Sequence, residues 1–191
     1  MQRLIVGWER DTPVVILRAT KKVLNRLPKP HVDGESDTAL GDWYVNRIVI
    51  DRKPLLLLIS SESLLPILTP ARDLKNLPAS LSRLVEERLI RLGIPARVIE
   101  QEIQAMSPVQ VAPTRDRSVV GMLVSFAFDL SYILARDGWD ETHLADAEVS
   151  LADTPCRVSS KGRDVIYPRE AAPALLREKW GAARSCRSTM P

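Results

Sequence analysis

The chain has 191 residues, of which 45% are hydrophobic and 27% charged. These values are typical of one globular domain with a real core and exclude a mainly disordered chain. The formal net charge is only +3, but residues 1–30 contain seven Lys or Arg against two acids, residues 157–191 eight against three, and residues 31–156 twelve against nineteen. The basic ends suit an acidic partner or nucleic acid, or simply keep the protein soluble.

The first predicted elements are a buried strand at residues 13–19, PVVILRA, and a helix with the sequence TKKVLNRL. The strand is short, rich in β-branched residues and continuously apolar. Thr20 is the expected helix cap, and Pro28 and Pro30 end the helix. A polar loop containing prolines and glycine then leads to Asp42 and is expected to be exposed.

A β-hairpin is predicted next. In DWYVNRIVID, residues 42–51, alternate side chains on both faces are apolar, which indicates a strand covered on both sides. Asp51-Arg52-Lys53-Pro54 forms the predicted turn, and LLLLIS is the returning strand. A short helix, ESLLPIL at residues 62–68, should follow.

The remaining pattern is mainly helical. Apolar residues at helical spacing predict helices over residues 73–92, 94–106, 114–138 and 140–151, with a third strand at residues 108–114. The helix over 114–138 is apolar almost all round and is expected to be buried, since its apolar run from Ser118 to Phe128 is too short to span a bilayer. A short strand at 165–167, a helix at 173–180 and a frayed tail complete the chain.

These elements predict an α+β fold with a small mixed or antiparallel sheet around a central hairpin, packed by several helices. Residues 1–155 are predicted to form one domain and residues 156–191 a C-terminal extension. Cys156 and Cys186 do not have metal-binding spacing. Because no signal peptide is recognisable, a reducing cytoplasm is the expected location and no membrane association is expected.

Several short motifs in order resemble a family of uncharacterised bacterial proteins, a domain of unknown function. They are the TKK start at residues 20–22, the WYVN strand at 43–46, the DR turn at 51–52 and the RSVVG helix start at 117–121. The resemblance covers roughly residues 14–151 and implies no established activity. Asp116 stands where the family pattern commonly has Asn.

An anion-binding site is the first functional hypothesis. The start of the long helix carries Arg115, Arg117 and Ser118 near free backbone N–H groups, and the first helix carries Lys21 and Lys22. If the strands before these two helices are neighbours, both starts lie at one sheet edge and the cations converge. The alternative is that Thr114 or Asp116 caps the long helix while its arginines pair with nearby acids, and that the lysines of the first helix are simply solvated.

A second hypothesis concerns Trp43, Tyr44, Asn46 and Arg47, which combine aromatic and hydrogen-bonding groups on one strand. Such a mixture can stack on and read nucleic-acid bases. The alternative is that the strand supplies core and rim residues.

Catalysis has little support. His31 and His143 have no recognisable ligand spacing, and no glycine-rich phosphate loop is present. An acidic cluster could hold a divalent cation or form a solvated helix face; it comprises Asp137, Asp140, Glu141, Asp146 and Glu148.

The sequence therefore predicts a cytoplasmic bacterial protein that acts by binding nucleic acid or an acidic protein, without a cofactor or metal and without an assigned catalytic residue. The alternative is a metal-dependent nuclease or a toxin–antitoxin component. The sequence leaves the oligomeric state open and allows a homodimer through the long apolar helix.

Overall fold

The computed structural model describes residues 14–27, 34–135, 139–157 and 165–181. The strands are Val15–Ala19 (β1), Trp43–Ile50 (β2), Lys53–Ser60 (β3), Pro66–Pro70 (β4), Val109–Pro113 (β5), Cys156–Arg157 (β6) and Val165–Ile166 (β7). The helices are Lys21–Leu24 (α1), Leu77–Arg91 (α2), Ala96–Ala105 (α3), Arg117–Ala135 (α4), His143–Ala152 (α5) and Pro168–Trp180 (α6), with a 3-10 helix at Ala71–Asn76. The predicted α+β class is confirmed.

Five strands form one mixed sheet in the order β4-β3-β2-β1-β5, and β6 pairs with β7 in a separate antiparallel ribbon. Strand β1 pairs in parallel with both β2 and β5, whereas β3 is antiparallel to β2 and β4. The neighbouring parallel strands β1 and β5 therefore end at the same edge of the sheet. This edge is where helices α1 and α4 begin.

The central hairpin is confirmed, with a tighter turn than predicted. Ile50 lies opposite Lys53, so only Asp51 and Arg52 connect the strands. Both connecting residues are left-handed, with φ of 48° and 64°. This geometry matches a two-residue turn whose twist follows that of the flanking strands.

The predicted helix at residues 62–68 is wrong, because this segment turns and continues as strand β4. The turn includes Leu64, with φ of 58°, and the strand begins at Pro66. Because β4 is an edge strand, a proline within it need not donate to a neighbour. Leu68, which the sequence pattern had assigned to the buried face of a helix, instead pairs with Leu57 in the sheet.

Each sheet face carries its own apolar core. The first core packs α1, the 3-10 helix, α2, α3 and α6 against side chains such as Leu17, Trp43 and Leu58. The second packs α4, α5 and β6 against side chains such as Tyr44, Leu57 and Ile59. The prediction that the hairpin strands are covered on both sides is confirmed.

The long helix α4 is buried along one face and exposed along the other. Its buried face contributes Val119, Leu123, Phe126, Leu130 and Leu134 to the second core. By length and composition alone, the window Arg117–Leu134 is apolar enough to cross a membrane, and 28% of it is buried. Burial all round was expected, and the structure corrects this because the sheet covers only one side of the helix.

The C-terminal helix contributes to the first core. Helix α6 begins at Pro168, five residues before the predicted start at residue 173, and places Ala172 and Leu176 in the first core. The division of the chain after residue 155 stays a prediction. The predicted features at Asp137, Cys186 and the terminal tail lie outside the described residues.

Candidate functional site

The start of α1 lies at the expected sheet edge but differs from the predicted capped helix. The expected neighbouring of β1 and β5 is confirmed by their pairing from Val15 with Val109 to Ala19 with Pro113. Only Lys21–Leu24 is helical, and Thr20 donates its hydroxyl to Asn46 Oδ1 at 3.0 Å instead of capping the helix. Lys21 and Lys22 are exposed. A helix of one turn has too few aligned peptides to hold an anion by its dipole.

The N-terminus of α4 is capped by the side chain of Asp116. Asp116 Oδ1 accepts the backbone N–H of Ser118 at 2.7 Å and that of Val119 at 3.4 Å. This carboxylate occupies the place where an external anion would bind, so the predicted cap by Asp116 is confirmed, whereas the pairing of the two arginines with acids stays a prediction. Arg115 and Arg117 are exposed and Ser118 is partly buried.

The two helix starts share a sheet edge but lead to opposite faces. Val23 of α1 belongs to the first core, whereas Val119 of α4 belongs to the second. The sheet therefore lies between the two helix bodies. Convergence of Lys21, Lys22, Arg115 and Arg117 on one anion stays a prediction.

The aromatic pair on β2 is buried. Trp43 is 0% exposed and Tyr44 is 1% exposed, so neither offers a ring face to a base. The expectation that they stack on bases is corrected, because the two sheet faces are both covered by helices. Asn46 accepts the Thr20 hydroxyl, and both Asn46 and Arg47 are partly buried where β2 extends beyond β1.

Tyr44 instead joins the core to the α4 start. Its hydroxyl accepts the backbone N–H of Asp116 at 3.2 Å. Burial raises the pKa of the Tyr44 phenol above its usual value, with the Asp116 N–H and the charge of Arg18 acting in the opposite direction. The phenol therefore remains neutral and acts as an acceptor in this position.

An interior ion pair next to Tyr44 was missed by the sequence reasoning. Arg18 is fully buried and donates to the carboxylate of Asp42, to Pro113 O at 3.3 Å and to Gly34 O at 3.2 Å. Asp42 also accepts the Ser36 hydroxyl at 2.5 Å. An arginine inside the apolar run VILRA was the available signal, because a charge in a buried strand needs a partner.

The described members of the acidic cluster do not form a metal-binding group. Glu148 is 1% exposed and accepts the N–H of Leu68 at 2.7 Å and the guanidinium of Arg91 at 2.6 Å. Glu141 pairs with Arg72 on the surface. Among the described residues, no group of three or more His, Cys, Asp or Glu side chains is placed to hold a metal ion. The nuclease alternative therefore lacks a ligand set in that part of the chain.

The pKa shifts of Asp140, a member of this cluster, and of Cys156 have local structural causes. Hydrogen bonds from the side chain and backbone of Thr142 lower the pKa of the exposed Asp140 to about 2. This carboxylate organises the turn before α5, where it also meets His143. Burial raises the pKa of the Cys156 thiol to about 11, assisted by the charge of Asp129, so this thiol is a poor nucleophile at neutral pH.

A cationic cavity lies between α1 and the 3-10 helix. Its volume is about 540 Å³, and the residues that line it include Arg26, Arg72 and Lys75, with Asn25 as a further polar group. Leu24 and Leu74 pack against the first core beneath these two elements and fix their relative position. The cavity can accept a phosphate or carboxylate because three side chains of one sign line it.

Sequence reasoning did not single out any of the residues that line this cavity. It assigned Lys21 and Lys22 to the anion site but not Arg26, which follows on the same segment. Arg72 and Lys75 were not singled out, because nothing local in the chain shows that residues 71–75 pack beside residues 25–27. Their contribution depends on a tertiary contact.

Comparison with protein-family models matches residues 16–171 to a domain of unknown function, DUF6933. The chain belongs to the DUF6933 family. No curated protein and no solved structure matches it. The DUF6933 match covers the five-stranded sheet almost completely, most of the first core, all of the second core and the cationic cavity, and it ends inside α6. The resemblance to an uncharacterised family is therefore confirmed.

Proposed function

We propose that this protein binds nucleic acid through a basic surface formed by Lys21, Lys22, Arg26, Arg72 and Lys75. The observation that carries the proposal is the cavity of about 540 Å³ lined by the last three of these residues. Nucleic acids present regularly spaced phosphates, and several cations on neighbouring elements can contact them in succession.

The charges of this surface are available to a ligand. Lys21, Lys22, Arg72 and Lys75 are exposed. Arg72 pairs with Glu141, but the two side chains are 71% and 59% exposed, and a surface pair of this kind contributes little free energy. A phosphate can therefore replace Glu141 at small cost.

The proposed contact is dominated by phosphates. Because Trp43 and Tyr44 are buried, the strand that carries them cannot contribute stacked bases. Arginine and lysine contacts to phosphate carry no direct sequence information. The proposed binding is therefore weakly dependent on sequence and strongly dependent on salt.

Fluorescence anisotropy with labelled single-stranded RNA, at increasing NaCl, tests the proposal. We expect the logarithm of the association constant to fall linearly with the logarithm of the salt concentration, by about 0.7 for each phosphate contact. Arg26→Ala/Lys75→Ala should weaken binding and reduce this slope by about 1.4. A matched loss of two exposed arginines, Arg97→Ala/Arg157→Ala, should leave the slope nearly unchanged.

Three outcomes contradict the proposal. They are a flat salt response, an equal loss in both double variants, and binding of poly-glutamate but not of RNA. The last result would identify an acidic protein as the partner class. Arg115→Ala/Arg117→Ala provides a separate test of the α4 start, which we expect to contribute less because Asp116 already caps it.

A further inference from the structure

The outer face of α4 is an apolar surface that nothing in the described structure covers. We define it by Gly121, Val124, Ser125, Phe128 and Tyr132, which recur at helical spacing on the side away from the sheet. Val124 is 61%, Phe128 62% and Tyr132 64% exposed. The rings of Phe128 and Tyr132 meet edge to face, with centroids 4.9 Å apart.

This face differs from the rest of the surface in its lack of charge. Between Arg117 and Ala135 the only charged residue is Asp129, which lies at the flank of the face. The exposed apolar area is about 400 Å², given the sizes of the aromatic and branched side chains. A patch of this size on a small protein is commonly an interaction site.

We infer that the outer face of α4 binds the same face of a second copy of this chain, with the two helices antiparallel. A two-fold axis between Val124 and Ser125 places Gly121 of each copy opposite Phe128 of the other. The same axis places Arg117 opposite Tyr132. Small residues then face large ones, and a cation faces an aromatic ring.

Gly121 supports this arrangement because the monomer itself has no need for glycine there. A Cβ atom added at residue 121 would meet nothing within 4 Å, and glycine in a helix interior is less favourable than alanine. In the antiparallel pair, the missing side chain leaves room for the Phe128 ring of the second copy. The outer face of α4 is therefore complementary to the same face of a second copy.

The pattern favours a second copy over a lipid surface. A bilayer accommodates any apolar side chain and would gain from a larger residue at 121, whereas a self-complementary helix pair would clash with one. The limited area indicates a weak dimer that dissociates reversibly upon dilution. The interface uses the opposite sheet face from the basic surface, so the inference is independent of the proposed nucleic-acid binding.

Sedimentation equilibrium across the micromolar concentration range tests the inference. We expect a reversible dimer for the wild type and at least about tenfold weaker dimerisation for Gly121→Leu. Leucine improves helix propensity and meets open space in the monomer, so the fold should persist, as circular dichroism can verify. Val149→Leu, a comparable substitution at an exposed position of α5, is the matched control and should dimerise like the wild type.

A compensating variant makes the test specific for the antiparallel register. Gly121→Phe alone should prevent dimerisation, and Gly121→Phe/Phe128→Ala should restore it, because large and small residues again face each other. A wild type that stays monomeric throughout overturns the inference. So does a Gly121→Leu variant that dimerises unchanged, or a wild type that stays monomeric and sediments with phosphatidylglycerol vesicles, which would identify a lipid surface as the occupant.

Discussion

Two buried glutamates, Glu102 and Glu148, connect elements in different regions of this protein, and their carboxylates are stabilised by different kinds of partner. Glu102, fully buried on α3, accepts the N–H groups of Ala39 and Leu40 and the indole N–H of Trp180. Glu148 on α5 accepts one backbone N–H and faces two arginines of α2, Arg88 and Arg91. The first region relies on amide and indole donors, the second on opposite charges.

The difference indicates which of the two carboxylates stabilises the fold more. Around Glu102, removing the acid leaves neutral donors without an acceptor. Around Glu148, it leaves Arg88, which is 1% exposed, as a buried cation without its carboxylate. Burial lowers the pKa of the Arg88 guanidinium and the charge of Glu148 opposes this effect, so the arginine depends on its partner. An unpaired buried charge is the larger penalty.

Glu148→Gln should therefore have the largest effect. We expect the free energy of unfolding to fall by about 3–5 kcal/mol, because the change keeps the shape and removes the charge that balances Arg88. Urea denaturation followed by circular dichroism measures it. Glu141→Gln, which affects only the exposed pair with Arg72, is the charge-matched control and should change stability by less than about 1 kcal/mol. A Glu148 variant as stable as this control would show that the pair does not hold α5.

Glu102→Gln should rank second. We expect a loss of about 2 kcal/mol, since three hydrogen bonds to a carboxylate weaken while no charge is left unbalanced. The matched control is Glu100→Gln at an exposed position of the same helix. Equal losses in the Glu102 and Glu148 variants would remove the distinction between the two regions.

Trp180→Phe should produce a smaller loss at the same site. One donor to Glu102 disappears while most of the aromatic packing remains, so we expect about 1 kcal/mol. Combined with Glu102→Gln, the second change should add little, because the acceptor is already impaired. A double-mutant cycle by urea denaturation measures this coupling; full additivity would mean that the 2.6 Å contact contributes no stability.

Much of the fold could be predicted because its signals are local. The strand β1, the hairpin and the long helix follow from apolar periodicity and from Asp51-Arg52 as a connector. The helix predicted at residues 62–68 was wrong because propensity there is overruled by pairing of β4 with β3, an interaction that the local pattern does not contain.

The residues of the candidate site were harder to predict from the sequence. Lys21 and Lys22 were noticed as cations at a helix start, whereas Arg26, Arg72 and Lys75 line one cavity only because residues 25–27 lie beside residues 71–75 in the fold. The aromatic residues Trp43 and Tyr44 have the composition of a base-binding strand, but exposure decides their role, and exposure depends on which helices cover the sheet. Buried acceptors such as Glu102 resemble ordinary polar helix residues until their donors are known.

The parallel pairing of β1 with β5 has a consequence for synthesis on the ribosome. One edge of strand β1 has no hydrogen-bonding partner until β5, which begins at Val109, has been synthesised. A nascent chain that already contains the hairpin thus carries an unpaired strand edge until synthesis has continued from Ser60 to Val109. Truncation before residue 109 would leave that edge available to other chains, and premature termination should yield aggregates instead of a smaller folded protein.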